Sequence, residues 1–496
     1  MLRQDSTEAL VQQNGIRASL RDNGILLKQQ LVLDDDHSFL SGLCSSACTQ
    51  SSQGDGQTLI PYAEILNVKS APSTVDNDDG ADEYEITFAA KVSSQSIYVP
   101  RSVVITVDNT MMDQDVVKFV MQKSYSGTSP YKRVMVILNP HGGQGKAIDL
   151  FMTRAKPILD AAGCVVDICK TEKYRHAVEI VETMDVSKYD VIACASGDGI
   201  PHEVFNGLYR RADRAHALDS IAVTQLPCGS GNAMSESCHG TGEASQAAIS
   251  LVKSHVVNID LMAVTQQGKT TVSFLSQTMG VIADADIKTE ALRFLGAVRF
   301  DIGVAYGVFA GHKYPCELAV KYAAKSKTEV RDYFDRHVAK LDDKTSKITE
   351  ETLTLKYNAD SPIPDDWERL ERDFCDNIEV FYTGKMPYIS HDVNFFPAAL
   401  PNDGSFDLIM MDSRTPITRQ TPILLSLDSG KHVHAPEVQH AKVLAYRLTP
   451  KFTGGLLSID GERFPFEETQ VEVLPGAAKT LMKNGIFRPD RALNEI

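Results

Sequence analysis

Ser196-Gly197-Asp198-Gly199-Ile200-Pro201-His202-Glu203-Val204-Phe205-Asn206-Gly207-Leu208 stands directly after a short apolar run, residues 190–195. The run reads as a buried strand. Glycines flanking an acid, with Pro201 just inside the following segment, are suited to turning a strand into a helix. Three more apolar runs of the same kind lie at residues 134–138, 165–169 and 221–226, with helical stretches such as 147–162 and 202–211 between them. Short apolar strands alternating with helices predict a mostly parallel sheet covered on both faces. Each strand is followed by a polar or glycine-bearing segment. These segments therefore collect at the carboxyl edge of the sheet, where open α/β folds bind ligands. An α/β domain is expected over residues 129–265.

The first of these segments is Asn139-Pro140-His141-Gly142-Gly143-Gln144-Gly145-Lys146. Three glycines between a strand and a helix let backbone N–H groups approach phosphates, with the helix N-terminus adding positive potential. It is not a P-loop, because Pro140 takes the place of the first glycine and Ala147 follows Lys146, and GxGxxG is also absent. Asp198 sits on an exposed glycine-flanked loop at a strand end, which suits a general base acting on a substrate hydroxyl; a turn-forming Asp is the alternative. Glu203 and Asn206, three apart, are expected to share a helix face. Leu226-Pro227-Cys228-Gly229-Ser230-Gly231-Asn232-Ala233 supplies two more glycines. A side chain at Gly229 or Gly231 is expected to intrude on phosphates. Thr171-Glu172-Lys173-Tyr174-Arg175-His176 adds polar and cationic groups at the same edge.

Outside this region the chain is β-rich. Residues 1–128 carry candidate strands at 25–33, 58–68, 84–92 and 97–107 and no catalytic cluster. Residues 266–480 read as β-rich with one long helix near 285–308 and a charged insertion at about 324–373, expected to be a solvated excursion holding the sole tryptophan, Trp367. Residues 481–496 form a tail. Fifty basic against sixty-five acidic residues leave a net charge of −15, which argues against nucleic acid as a partner. No apolar run approaches a membrane span, the N-terminus has no secretory h-region, and nine scattered cysteines point to free thiols in a reducing compartment. A cytoplasmic chain is expected.

Read in order, the NPxGGxGKA, SGDGxxHEVxNGL and PxGSGNA patterns resemble those of the diacylglycerol-kinase catalytic fold and, within it, the sphingosine (long-chain-base) kinases. Ser276-Gln277-Thr278-Met279-Gly280-Val281-Ile282-Ala283-Asp284-Ala285-Asp286, followed by Arg293, Arg299 and Phe300, resembles the family's lipid-binding segment. Asp460-Gly461-Glu462 resembles the motif that returns the C-terminal part to the nucleotide. The resemblance covers residues 129–480 and implies an α/β ATP-binding domain similar to those of phosphofructokinases and NAD kinases, a C-terminal β-sandwich that holds the lipid, and an N-terminal β-rich module. It implies transfer of the ATP γ-phosphate to the primary hydroxyl of a sphingoid base, with Asp198 as proton acceptor. Asn139, Pro140, His141, Thr171, Glu172, Lys173, Tyr174, Arg175, Glu203, Gly229, Ser230, Gly231, Arg293, Arg299, Asp460, Gly461 and Glu462 would stand at the nucleotide. Ser196, Gly197, Gly199, Ser276 and Asp286 would meet the lipid substrate. Mg²⁺ is expected to arrive with ATP, without a dedicated metal site. The family also implies reversible, peripheral contact with a membrane surface and leaves room for a homodimer. A ceramide or diacylglycerol acceptor, an inactive membrane-binding homologue, and simple ion pairing of Arg293 and Arg299 with Glu290 or Asp286 stay open at this point.

Overall fold

The four apolar runs become Arg133–Leu138, Val165–Lys170, Val191–Ser196 and Ala222–Pro227, neighbours at one end of a fifteen-stranded sheet. The computed structural model describes residues 16–28, 52–53, 57–71, 82–92, 96–107, 115–142, 145–280, 283, 313–340, 345–483 and 485–487. The chain divides into two compact units, residues 1–132 with 152–166 and residues 133–151 with 167–496. Val191–Ser196 pairs in parallel with both Arg133–Leu138 and Ala222–Pro227, with Ser196 opposite Pro227 and Ala195 opposite Leu138. Val191–Ser196 and Ala222–Pro227 are buried along their whole length, as strands covered on both faces must be, and this explains why their sequences are mostly apolar.

The sheet continues past Ala222–Pro227 into antiparallel strands, through Thr469–Met482, Val438–Pro450, Phe406–Asp412, Ile378–Gly384 and Ser276–Gly280 to the Leu457–Ile459 and Glu462–Phe464 hairpin. Thr469–Met482 is the junction: it meets Ala222–Pro227 in parallel at Lys479 and runs antiparallel to His255–Gln266 over most of its length. The second unit is thus one mixed sheet, α/β at one end and β-rich at the other. The charged insertion is more firmly seated than its composition suggests. Its helix Lys327–Val338 starts on a Ser326–Glu329 capping box. The amides of Lys356 and Tyr357 donate to Glu472, and Trp367 is buried edge-on against Tyr357 rather than solvated. The long helix expected near 285–308 lies outside the described residues.

The first unit is a seven-stranded sheet with the helix Val116–Ser124 packed on a core that includes Ile25, Leu27, Phe88 and Ile105. The stretch expected as one strand at 58–68 is two, Gln57–Pro61 and Ile65–Ser70. The break is a turn closed by Glu64 N–H to Pro61 and Ile65 N–H to Tyr62. The strand Ile16–Leu20, too short and too polar at Arg17 and Ser19 to stand out, adds in parallel beside Tyr98–Val107.

A buried chain of charges fastens the β-rich end. Lys385 Nζ lies 2.5 Å from both Asp260 and Asp403, Lys442 Nζ joins Asp403 to Asp407 at 3.1 and 2.8 Å, and His440 closes on Asp407 at 2.6 Å. Burial alone would raise the Asp403 carboxyl, but the two lysines outweigh it and hold it at about 2. Removing one partner of such a network strands the others. Lys385→Met is expected to lower unfolding stability by about 3–5 kcal/mol, measured by denaturant titration; a loss below about 1 kcal/mol would show that the network is not what holds these strands.

Candidate functional site

Asp198 closes the Val191–Ser196 strand and opens the helix Gly199–Arg210, with its own carbonyl accepting from His202 N–H at 3.2 Å. Its side chain does not cap that helix. Instead Oδ2 accepts from Ala233 N–H at 3.0 Å, and Oδ1 accepts from Met234 N–H and Gln225 Nε2 at 3.2 Å each. Ala233 and Met234 begin the helix Ala233–His239, whose Asn232 makes no side-chain cap, so Asp198 satisfies those amides from across the sheet edge. Three of the four lone-pair positions of the carboxylate are thereby engaged, and one on Oδ2 is left uncommitted. Burial raises the Asp198 carboxyl to about 6, against the downward pull of its three donors and with a further push from Asp460. A carboxylate of that strength is ionised at neutral pH and more basic than an ordinary one.

Gln225 escapes the motif reading, although it orients the acid. Fully buried, it also accepts from Ser235 N–H at 2.8 Å, tying Asp198 to the start of the same helix. The signal was a polar pair, Thr224-Gln225, inside an otherwise apolar buried strand.

The glycines of the two loops pack on each other. A Cβ on Gly229 would stand 2.1 Å from Gly197 N, and one on Gly197 would stand 2.9 Å from the Gly231 carbonyl. Gly229 is therefore required by the neighbouring loop, a different reason from the phosphate crowding expected. Gly231 differs, because its Cβ would stand 3.2 Å from Asp198 Oδ2 itself. Asn232 folds back to hold Gly229 through both amide atoms, at 3.1 and 3.3 Å, which leaves Ser230 exposed at the tip. The Ser196 hydroxyl is turned inward to the Gly197 carbonyl at 2.7 Å.

On the first loop Asn139 Oδ1 accepts from His141 N–H at 3.0 Å, an Asx turn that leaves Pro140 half-buried and His141 exposed. Gly143 and Gln144 lie outside the described residues. Thr171 N–H donates to the Leu138 carbonyl at 2.9 Å and so stands at the same edge. Beyond it, Glu172 N–H donates to His176, Lys173 pairs with Glu179 at 2.8 Å, and Arg175, in the left-handed region at φ 59°, lays its guanidinium over the exposed Tyr174 ring. Glu203 was expected to share its face with Asn206, yet the two serve different neighbours. Glu203 accepts from Ala177 N–H at 3.0 Å and caps the helix His176–Thr183, while burial raises its carboxyl. Asn206 pairs through both amide atoms with the backbone of Val272, at 2.8 and 3.0 Å, and so links the helix Gly199–Arg210 to the β-rich end.

The turn Asp460-Gly461 joins Leu457–Ile459 to Glu462–Phe464 as a two-residue hairpin, with φ 53° and 81°. It brings Glu462 to the site: Tyr174 OH donates to Oε2 at 3.4 Å, and a Cβ on Gly199 would stand 3.1 Å from Oε1. Asp460 was expected at the nucleotide, but its buried carboxylate is directed inward. It accepts from Ser273 Oγ at 2.6 Å, from the successive amides of Phe274, Leu275 and Ser276 at 3.2, 3.0 and 2.9 Å, and from His202 Nδ1–H at 2.8 Å. Ser276 is set by this grip, with its hydroxyl directed to Tyr382 OH at 3.3 Å. Asp286, Arg293 and Arg299 lie outside the described residues. Among the described residues no three His, Cys, Asp or Glu side chains group as a metal site.

Residues 133–264 match the diacylglycerol kinase catalytic domain. A sphingoid long chain base kinase of Saccharomyces cerevisiae is 45% identical over 76% of this chain, and the chain spans 63% of that protein's length. A sphingosine kinase of Arabidopsis thaliana is 31% identical, with 67% of this chain and 69% of the relative covered. The chain belongs to the sphingosine kinase family. A crystal structure described as a candidate diacylglycerol kinase of Bacillus anthracis shares the fold at 16% identity, with a TM-score of 0.50 over 73% of this chain and 98% of the other.

The two loop glycines of this sphingosine kinase family member separate packing from chemistry. Gly231→Ala, which places a methyl beside the free side of Asp198, is expected to leave the melting temperature nearly unchanged and to cut the turnover rate roughly ten- to a hundredfold. Gly229→Ala must displace the Gly197 loop and is expected to lose folding stability as well. Equal behaviour of the two variants in melting and rate measurements would contradict the geometry.

Proposed function

We propose that this chain is an ATP-dependent kinase that transfers the γ-phosphate to the primary hydroxyl of a sphingoid long-chain base. The observation that carries the reading is the Asp198 carboxylate, held by Ala233, Met234 and Gln225 with one lone pair of Oδ2 uncommitted. The substrate oxygen attacks the γ-phosphorus as its proton passes to Oδ2. The bond to the β–γ bridging oxygen breaks, and ADP leaves. The triphosphate lies along the loops at Asn139–Gly142, Thr171–Arg175 and Gly229–Gly231, with Glu462 closing from the hairpin. Magnesium enters as part of the MgATP substrate and neutralises charge on the transferring group. Arg293 and Arg299 are assigned to the same phosphates. Glu203 and Asp460 act one step back, as positioning residues.

The lipid belongs to the β-rich end, read here as a β-sandwich domain. Its support is that neighbouring strands are apolar on both faces: Phe381, Leu408 and Met410 enter one cluster, and Val380, Tyr382, Ile409 and Met411 enter another. Ser276 faces the second cluster through Tyr382. Asp286 is assigned to the protonated amine that sphingoid bases carry and that ceramide and diacylglycerol lack, because a charge-assisted hydrogen bond rewards that group alone. No helix among the described residues is long and apolar enough to cross a membrane. The acceptor is a membrane lipid, and the chain is therefore assigned a reversible, peripheral membrane contact.

Purified protein with labelled ATP and a panel of acceptors tests this reading. Labelled 1-phosphates are expected from sphingosine, sphinganine and phytosphingosine, and none from ceramide, diacylglycerol or NAD. Labelling of ceramide or diacylglycerol at rates comparable with sphingosine, or of no lipid at all, would refute it.

A further inference from the structure

Two buried thiols meet where the charged insertion leaves the sheet and rejoins it. Cys316 opens the strand Cys316–Ala324, and Cys375 closes the short helix Arg372–Cys375. Backbone hydrogen bonds bracket the pair on either side. Leu370 N–H donates to the Leu318 carbonyl and Tyr314 N–H to the Ile378 carbonyl, each at 2.9 Å. Both cysteine side chains enter the same apolar cluster, with Val320, Phe381 and Leu448. Within it the Cys316 thiol donates a hydrogen bond to the Cys375 sulfur, which also accepts from Leu318 N–H. Sulfurs in hydrogen-bond contact need only a small approach to bond.

Cys375 differs in acidity from its counterparts. Burial pushes the thiols of Cys164, Cys169, Cys194, Cys228 and Cys238 up. The Cys316 thiol, by contrast, holds Cys375 below its ordinary value, against burial and Asp376 and with help from Leu318 N–H and Lys451. Lys451 is fixed beside the pair by Asp376 at 3.1 Å and by its own N–H to the Pro315 carbonyl at 3.0 Å. The same hydrogen bond pushes the Cys316 thiol up, so that Cys316 keeps its proton while Cys375 supplies the nucleophile. We propose that Cys316 and Cys375 are a reversible redox pair, which hydrogen peroxide converts to a disulfide that staples the two ends of the insertion together. The Cys375 thiolate attacks one peroxide oxygen and the O–O bond breaks. A sulfenic acid forms, and the departing hydroxide takes up a proton to become water. Cys316 sulfur then attacks Cys375 sulfur, the S–O bond breaks, and the Cys316 proton leaves with the hydroxyl as a second water. Residues 371–373 are exposed directly before the buried Cys375, a short path for a small oxidant. The inference is independent of the kinase reading.

The test treats the full chain with hydrogen peroxide, alkylates the remaining thiols and maps the digest by mass spectrometry, with and without dithiothreitol. A peptide linking Cys316 to Cys375 is expected after peroxide and is expected to disappear with dithiothreitol. Cys316→Ser is expected to leave Cys375 as a sulfenic acid that dimedone labels, and Cys375→Ser to slow oxidation of Cys316 about tenfold or more. The wild-type map decides the matter if a variant fails to fold. Absence of the linked peptide under conditions that oxidise the half-buried Cys169 would overturn the pair. So would either thiol bonding chiefly to another cysteine, or Cys316 oxidising as fast without Cys375. A chain that forms the bond but phosphorylates no lipid would refute the kinase reading and leave the redox pair standing.

Discussion

The buried carboxylate of Asp460 is the interaction on which the site depends. Five protein donors converge on it, three of them successive backbone amides between Ser273 and Ser276, and the fifth the His202 ring on the helix that Asp198 opens. Successive amides make a concave positive nest, and a carboxylate is the natural occupant. The chain holds the acid there in a left-handed backbone conformation that Asp tolerates better than most residues. One side chain thereby fixes the strand Ser276–Gly280, the hairpin that carries Glu462 and the helix Gly199–Arg210. Asn206 adds a second fastening between that helix and Val272.

Asp198 is built on the same logic with the opposite purpose. It too satisfies amides that its neighbours leave orphaned, those at the start of Ala233–His239, and in exchange its orientation is fixed. The difference lies in solvent and occupancy. Asp460 has no capacity left, whereas Asp198 remains partly open and keeps one position on Oδ2. Burial raises its carboxyl to about 6, with Asp460 contributing to the rise. Asp460 thus raises the carboxyl of the acid that it helps to place. The close contact of Gly197 with Gly229 serves the same end, since only bare backbone lets the two loops approach far enough for Ala233 to reach Asp198.

The α/β end was legible in sequence because strands buried on both faces must be predominantly apolar, and 134–138, 191–195 and, but for Thr224-Gln225, 221–226 are. The acid at Asp198 was legible from its flanking glycines. What could not be read were partners set by long-range pairing. Gln225 lies within a strand and looks like part of it. Glu203 and Asn206 share a helix spacing but reach different elements. Asp460 carries a motif whose letters cannot say whether the carboxylate turns to ligand or to protein. The seating of Trp367 depends on Tyr357 and Glu472, contacts that composition does not encode. The junction at Thr469–Met482 was likewise invisible, since a C-terminal strand slipping beside Ala222–Pro227 leaves no local mark.

The most direct test of the central claim, that Asp198 is the proton acceptor for phosphoryl transfer, is the pH dependence of kcat/KM toward sphingosine for wild type and Asp198→Asn, with ATP affinity measured alongside by calorimetry. The carboxylate must be ionised to act, and so the wild-type rate is expected to fall as pH drops through about 6. The Asn variant, which keeps the size and an acceptor for Ala233, is expected to bind ATP normally and to turn over about 10²–10⁴-fold more slowly, without that acid limb. A variant that keeps near-wild-type turnover, or that shows the same acid limb, would contradict the assignment.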